Sequence, residues 1–231
     1  MSFNWTQLLP GVGHEYSHVA TLGLASVGAI TMGLIAKSSL GTGEAAVIPT
    51  SKFSMRGFFE LVTESMSGLT ESVIGKQGRS FTPFFSAIFF FVLINNLIGI
   101  VPGMTPATEN LNTTLGFGLF MFVAYNFLGM KHSGVINYLK HFMGPALILA
   151  PLMVVIELIS HMVRPMSLGL RLANVMKGDH TVLAVFLDLV PIGIPIPFYL
   201  LGLIVCFIQA FVFTLLSMVY VSLAVAGDHH H

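Results

Sequence analysis

Glu157, Arg164, Arg171 and Gly178 recur every seven residues within a long apolar stretch. Two turns of α-helix take about 7.2 residues, so these positions fall on nearly one helix face. Ser160, His161, Ser167 and Asn174 lie on or beside that stripe, and Asp179 lies near it. His180 points roughly the opposite way. A guanidinium keeps its charge up to pH values above about 12, so it cannot pass protons on. It can attract an anion, stabilise a partner's carboxylate, or block cations along a pore. Opposite charges about 4 Å apart interact by roughly 4 kcal/mol at an effective dielectric of 20, which would depress a carboxylate's pKa by about two to three units. The groups that can gain and lose protons here are Glu157, His161, Asp179, His180 and Asp188. Carboxylates and histidines at membrane depth are the usual parts of proton relays.

The elements that hold this stripe must sit in lipid. The chain has 231 residues, of which 55% are hydrophobic and 9% charged, with 20 Phe and 13 Met. Mean hydropathy is +0.85. A soluble domain carries about 25% charge, so this is an integral membrane protein. Net charge is zero and no basic face offers itself to nucleic acid. The one cysteine, Cys206, rules out an intrachain disulfide and a Cys-based metal site, and it reads as a small buried hydrophobe. The terminal His229, His230 and His231 resemble a purification-tag remnant and are set aside.

An all-α fold with about five spans is expected. Apolar runs lie near His18–Ala36, Phe81–Val101, Thr113–Met130, Gly144–Leu189 and Ile196–Ala226. The first is rich in Gly and Ala, which suits close helix packing. Lys37, Lys52, Arg56, Lys76 and Arg79 fall between the first two runs, and Lys131 and Lys140 follow the third. Basic loops face the cytoplasm, so the N-terminus is expected outside and the C-terminus inside. The membrane-embedded unit is expected to cover 1–231. It divides into an external N-terminus (1–17), a first span (18–37), an amphipathic helix at the cytoplasmic surface (54–78), the second and third spans (81–130) and a helical hairpin (144–226). In the amphipathic segment Phe58, Leu61, Val62, Met66, Leu69 and Val73 recur at helical spacing, while Glu60, Glu64 and Glu71 take other positions. It either lies on the membrane or packs on protein. The last two runs exceed one bilayer, which points to a steeply tilted hairpin turning at VPIGIPIP, Val190 to Pro197. Pro165 is expected to kink or restart its first helix.

Other polar groups fit this frame. Gln209 is the single amide of the last run, with Thr214, Ser217 and Tyr220 beyond it. Asn95, Asn96 and Asn126 are expected to bond between helices. His14, Glu15 and His18 begin the first span, either interfacial or lining an aqueous entrance. His132 and His141 read as solvated loop residues. No phosphate loop, nucleophile elbow or haem-type histidine pair is present, so no cofactor, metal or catalytic site of its own is expected.

The stretch SLGLRLANVMKGDH, followed by IQAFVFTLLSMVYVSLA, resembles subunit a of the rotary F-type ATP synthases. FFFVLINNLIGIVPG is similar to that family's second span, and IELISHMVRP to the lead-in of its tilted helix. The resemblance covers nearly the whole chain. It implies a proton-translocating stator subunit in the bacterial inner membrane, with the hairpin packed on a ring of c subunits. Each ring subunit carries a membrane carboxylate. Partners would be that ring, b-type peripheral stalk subunits, the remaining ATP synthase subunits and membrane lipid. Two aqueous half-channels would reach the ring at different depths. Arg171 would attract the deprotonated carboxylate and keep protons from crossing directly. Gln209 matches the family's glutamine beside the arginine, and Glu157 the acidic residue fourteen positions before it. Arg164, Ser167, His161, His14, Glu15 and His18 are channel-lining candidates.

Two departures stand out. The family commonly has Asn four residues after the arginine and an acidic residue or His nine after it. Here Asn174 comes three after and His180 nine after, so either Asp179 or His180 takes the outer role. The family also places Glu or His seven residues before the glutamine, where this chain has Gly202; Asp188 or Asp179 would then supply the titrating group. A competing reading is a self-contained ion channel or secondary transporter with Arg171 binding an anionic group. Transporters usually carry internal repeats, and none is evident between the halves. A third, a membrane subunit without an ion path, leaves the polar stripe without a use.

Overall fold

The computed structural model describes residues 17–38, 55–135, 138, 150–189 and 195–225. Every element among them is helical: α1 (Ser17–Ser38), α2 (Met55–Ile74), α3 (Thr82–Ile98), α4 (Leu111–Ser133), α5 (Ala150–Leu189) and α6 (Pro195–Val225). Short 3-10 segments, Lys76–Phe81 and Ala107–Glu109, lead into α3 and α4. By length and composition five of the helices can cross a membrane, all but α2. An all-α, multi-pass membrane protein is therefore the architecture. His14, Glu15, His141 and most of the expected hairpin turn lie outside the described residues.

The core forms where α3, α4, α5 and α6 meet, around Phe85, Phe89, Tyr125, Leu168, Leu172, Met176, Phe213 and Met218. Helix α1 stays at its edge. Of its glycines, only Gly28 comes near another helix, at Ile94 of α3; an added Cβ at Gly23 or Gly33 would meet nothing within 4 Å. Gly23 and Gly33 therefore meet no other helix closely among the described residues, whereas Ala25 and Thr21 are fully buried.

Helix α2 buries Val62, Met66 and Thr70, four residues apart and so on one face. That face rests on protein. Thr70 Oγ1 lies 3.0 Å from Thr82 Oγ1, and Ser222 Oγ donates to the Val73 carbonyl at 2.8 Å. Gly75, with φ of 89°, follows the end of the helix, in a conformation few other residues adopt. Of the two readings of this amphipathic segment, packing on protein is the one its buried face satisfies. Leu61 and Phe58 stay exposed.

The asparagines do the expected cross-linking in part. Asn96 of α3 donates to the Cys206 carbonyl of α6 at 3.4 Å and accepts from Thr108 Oγ1 at 2.8 Å. Cys206 returns a weak S–H bond to the Asn96 carbonyl, so it is polar-bonded as well as packed. Asn95 instead donates to Phe91 of its own helix at 2.8 Å. Helix α4 starts on Asn110, whose side chain accepts from Asn112 N at 2.9 Å, the usual N-cap arrangement. His132 is not in a loop. It is exposed in the last turn of α4, bonded to Gln77.

Helices α4 and α5 approach through two glycines. A Cβ on Gly118 would sit 2.3 Å from the Pro165 carbonyl oxygen, and one on Gly169 would sit 2.7 Å from the Thr114 carbonyl oxygen. The closest glycine contact between helices among the described residues is thus here. Helix α5 does not restart at Pro165. Proline cannot donate to the carbonyl four residues back, yet α5 is one helix of 40 residues through it. At 1.5 Å per residue α5 is about 60 Å long and α6, with 31 residues, about 46 Å. Both exceed the roughly 30 Å hydrocarbon core.

Candidate functional site

The heptad stripe on α5 divides into a covered part and a bare part. Arg164 is half-buried. Its Nη2 donates to Glu157 Oε1 at 3.4 Å, and its guanidinium lies 6.0 Å from the Tyr220 ring of α6. Seven residues later Arg171 is exposed and makes no hydrogen bond or ion pair among the described residues. A seven-residue repeat drifts about 20° per heptad on a straight helix, and the neighbours change along the helix as well. Glu157, Arg164, Arg171 and Gly178 therefore do not share one environment. Arg164 belongs to the helix bundle, whereas Arg171, Asn174, Gly178, Thr181, Val185 and Asp188 are all exposed.

Apolar side chains are exposed along the same stretch of α5 and on α6. Leu170, Val182, Val185 and, on α6, Leu200, Ile204, Phe207 and Ile208 are exposed. Gln209 lies on the opposite, inward side of α6 and is 5% exposed, with its Nε2 lacking a partner among the described residues. A buried unsatisfied donor costs about 1–3 kcal/mol. Thr214 and Ser217 have no such need, because each hydroxyl donates to the carbonyl four residues back, at 2.9 and 2.8 Å.

Asp179 and His180 go separate ways. The Asp179 carboxylate lies against α6 at Gly202, with Oδ2 2.9 Å from where a Gly202 Cβ would sit. His180 turns to the chain between α3 and α4, where its Nδ1 lies 3.1 Å from Glu109 Oε2. Its ring also crowds Gly99, leaving no room for a side chain there. Asp188 is exposed near the end of α5.

A polar cavity of about 580 Å³ opens beside this region. His18 of α1, Glu109 and Asn110 before α4, and Asn174 and Lys177 of α5 are among its lining residues. It runs from the Glu109 turn to Asn174, one helical turn from Arg171. Glu109 was not among the residues singled out by type and spacing. The available signal was an acidic residue in a turn with no basic neighbour, PGMTPATENLN.

Toward the other end of α5, His161 is buried, 6% exposed. Its Nε2 lies 2.8 Å from Asn126 Oδ1, and Tyr138 Oη donates to that same oxygen at 2.8 Å. Asn126 Nδ2 donates to the Phe122 carbonyl at 2.7 Å. Burial pushes the Tyr138 phenol above its ordinary pKa, with Arg164 pulling it down and Glu157 pushing it up, so it stays a donor at neutral pH. Tyr125 and Tyr138 escaped notice because single tyrosines in apolar runs carry no spacing signal. Ser160 is exposed and Ser167 half-buried.

The family model for the ATP synthase A chain matches residues 20–222. ATP synthase subunit a of Bdellovibrio bacteriovorus is 70% identical over 229 residues, covering 99% of this chain and 100% of that one. The subunit a of Trichlorobacter lovleyi is 41% identical over 196 residues, 85% of this chain and 84% of the relative. That of Geobacter sulfurreducens is 39% identical over 218 residues, 93% of each chain.

Proposed function

The chain belongs to the ATP synthase A chain family, and on that premise we propose how its residues do the work of a proton-translocating stator subunit. The observation that carries the reading is Arg171, exposed among largely apolar side chains and without a partner among the described residues. An arginine facing lipid at mid-depth costs at least about 2.5–3.5 kcal/mol. A carboxylate on a partner subunit removes that cost and is held ionised in return. A c-subunit ring is such a partner. The long α5–α6 hairpin, tilted in the bilayer, lays this face along it. Gln209, with its unpaired donor, sits one helix layer behind and supplies a hydrogen bond if α6 turns slightly toward the ring.

The half-channels follow from the two ends of α5. The polar cavity at His18, Glu109 and Asn174 is the outer path, because the loop it opens on lacks basic residues. Asp179, on the α6 side at Gly202, passes protons between that path and the ring. Since Asp179 occupies the space at Gly202, it takes over the position where the family commonly carries a Glu or His, and Asp188 is left as a surface group. Glu157 and Arg164 mark the inner path. Lys37, Arg56, Lys76, Arg79 and Lys131 put that end in the cytoplasm, with the N-terminus outside, in the bacterial inner membrane. The subunit catalyses nothing alone and works in the ATP synthase complex with the c-ring, b-type stalk subunits and the remaining subunits. A self-contained channel or transporter is not favoured by the family match.

The test is ATP-driven proton pumping by inverted membrane vesicles carrying the complex. Arg171→Ala should assemble and pump at background level. Normal coupled pumping by that variant would remove the role assigned to Arg171.

A further inference from the structure

The last part of α5 is thinly held. Leu168, Leu172, Ala173 and Met176 are buried, but from Lys177 to Leu189 no residue is. Phe186 stacks on Phe198 of α6, with ring centres 4.0 Å apart. His180 reaches the other way, to the turn before α4, where its Nδ1 lies 3.1 Å from Glu109 Oε2. The Thr181 hydroxyl is spent on its own helix, donating to the Lys177 carbonyl at 2.7 Å. Few contacts therefore decide how this end of α5 is turned about its axis.

His180 is held at two edges of its ring. Its Cε1 and Nε2 would each lie 2.5 Å from a Cβ on Gly99, and Pro106 Cγ would lie 2.8 Å from the same point. Gly99 closes the end of α3, and Pro106 begins the short segment that ends at Glu109. The missing side chain at Gly99 thus makes the notch that admits the ring. At the other edge Nδ1 is the donor, since an ionised carboxylate only accepts. Successive residues on a helix are about 100° apart. Fixing His180 toward the turn therefore sets Asp179 toward α6, where its carboxylate lies against Gly202.

The charged groups around His180 are few. Glu109 faces it from the turn, and Lys177 and Asp179 are its near neighbours on α5. Helices α3 and α6 carry no charged side chain. Tyr199 and Cys206 are the titratable residues of α6 on either side of Gly202. His18 of α1 shares the polar cavity with Glu109 and Lys177.

We infer that His180 is a positioning residue for proton uptake: bonded to Glu109 and seated at Gly99, it turns the end of α5 so that the Asp179 carboxylate stays on α6 at Gly202. This rests on the reading above that Asp179 passes protons between the outer path and the ring. His180 needs only a donor at the place of Nδ1 for this, and it carries no proton along the path. The strength of the seat follows outer pH. An imidazolium makes a charge-assisted bond to a carboxylate, stronger than that of the neutral ring. Histidine changes charge between about pH 5 and 8. The seat is therefore firmest when the outer side is acid, the condition under which protons are taken up.

The test reads the seat directly in the whole complex. Asp179→Cys with Gly202→Cys, in a Cys206→Ser background that removes the native thiol, should form a disulfide on mild oxidation. His180→Leu fills the notch without donating and should lower the yield about tenfold, as loss of a hydrogen bond to a charged group would. His180→Asn places an amide N–H where Nδ1–H was and should keep most of the yield. ATP synthesis is then followed in inverted vesicles, whose lumen is the outer side, with Asp179 and Gly202 intact and luminal pH varied. His180→Leu should be slow throughout. His180→Asn should stay active, with a luminal-pH profile flattened between about 5.5 and 7.5. Equal cross-linking in the His180→Leu and His180→Asn complexes would overturn the positioning role. An inactive His180→Asn complex with normal cross-linking would also overturn it, since His180 would then carry the proton itself. If His180→Leu does not assemble, Glu109→Gln decides from the other side: it leaves the notch filled and should lower the yield most at acid pH, and an unchanged yield would overturn the role. Asp179→Asn separates the two claims. If that complex synthesises ATP normally while cross-linking still follows His180, the reading of Asp179 fails and the positioning by His180 stands.

Discussion

The carboxylate of Asp179 fills the space that Gly202 leaves open. Its Oδ2 lies 2.9 Å from the position a Gly202 Cβ would take. Two helices thus share one place for an acidic group, and either could provide it. Asp179 supplies the group from α5 because α6 has no side chain in the way.

A side chain at Gly202 should therefore disturb proton passage before it disturbs folding. Gly202→Val would push Asp179 off α6, and ATP-driven pumping should drop about tenfold, with stalk and ring subunits still copurifying. Moving the carboxylate across the interface, as Asp179→Gly with Gly202→Asp, should restore part of the rate. Wild-type pumping by Gly202→Val would show that Asp179 does not need this seat.

The same pair shows what the sequence could and could not tell. The five apolar runs, the amphipathic α2 and the heptad positions were all legible, since each depends on local composition or on helical period. The outer role was left between Asp179 and His180, because a shift of one residue turns a side chain by about 100°. Only the packing of α5 between α6 and the Glu109 turn separates them. Arg164 and Arg171 share the heptad spacing, yet one lies against Tyr220 and the other is covered by nothing among the described residues. Glu109 and Tyr138 are brought to the site by tertiary contacts and leave no periodic trace.

Arg171→Lys should also fail. A lysine ammonium is a single point charge that can give up its proton when desolvated, and it lacks the planar donor fork that meets two carboxylate oxygens. Pumping by this variant should stay below about a tenth of wild type, with any residual rate falling as pH rises and the ammonium neutralises. A fully active Arg171→Lys complex would mean that any cation suffices.

The polar cavity predicts a pattern of water access. Asn174→Cys and Lys177→Cys line it, whereas the native Cys206 is 1% exposed. A membrane-impermeant thiol reagent added from the outer face should label the two introduced cysteines at least tenfold faster than Cys206. Blocking Asn174→Cys in this way should also slow pumping, since it sits one turn from Arg171. Equal labelling from the cytoplasmic face would reverse the assignment of the cavity to the outer path.

The contact between α4 and α5 is set by backbone rather than by side chains, and this makes it sensitive. At Gly118 an added Cβ would lie 2.3 Å from the Pro165 carbonyl oxygen and 3.4 Å from the Gly169 nitrogen. Neither atom can swing away as a side-chain tip could. Overpacking a well-filled interior typically costs about 1–3 kcal/mol, and a clash with backbone sits at the upper end. Gly118→Val should force the helices apart and misplace both Arg171 and His161 relative to α4. The expected result is less subunit in the membrane and a complex that dissociates at lower temperature, with pumping lost in proportion. Gly169→Val should do the same, because its Cβ would meet the Thr114 carbonyl oxygen at 2.7 Å. Gly116→Ala, where an added Cβ meets nothing within 4 Å, is the control and should assemble normally. If Gly118→Val assembled as well as that control, the close approach of α4 and α5 would not be what positions the site.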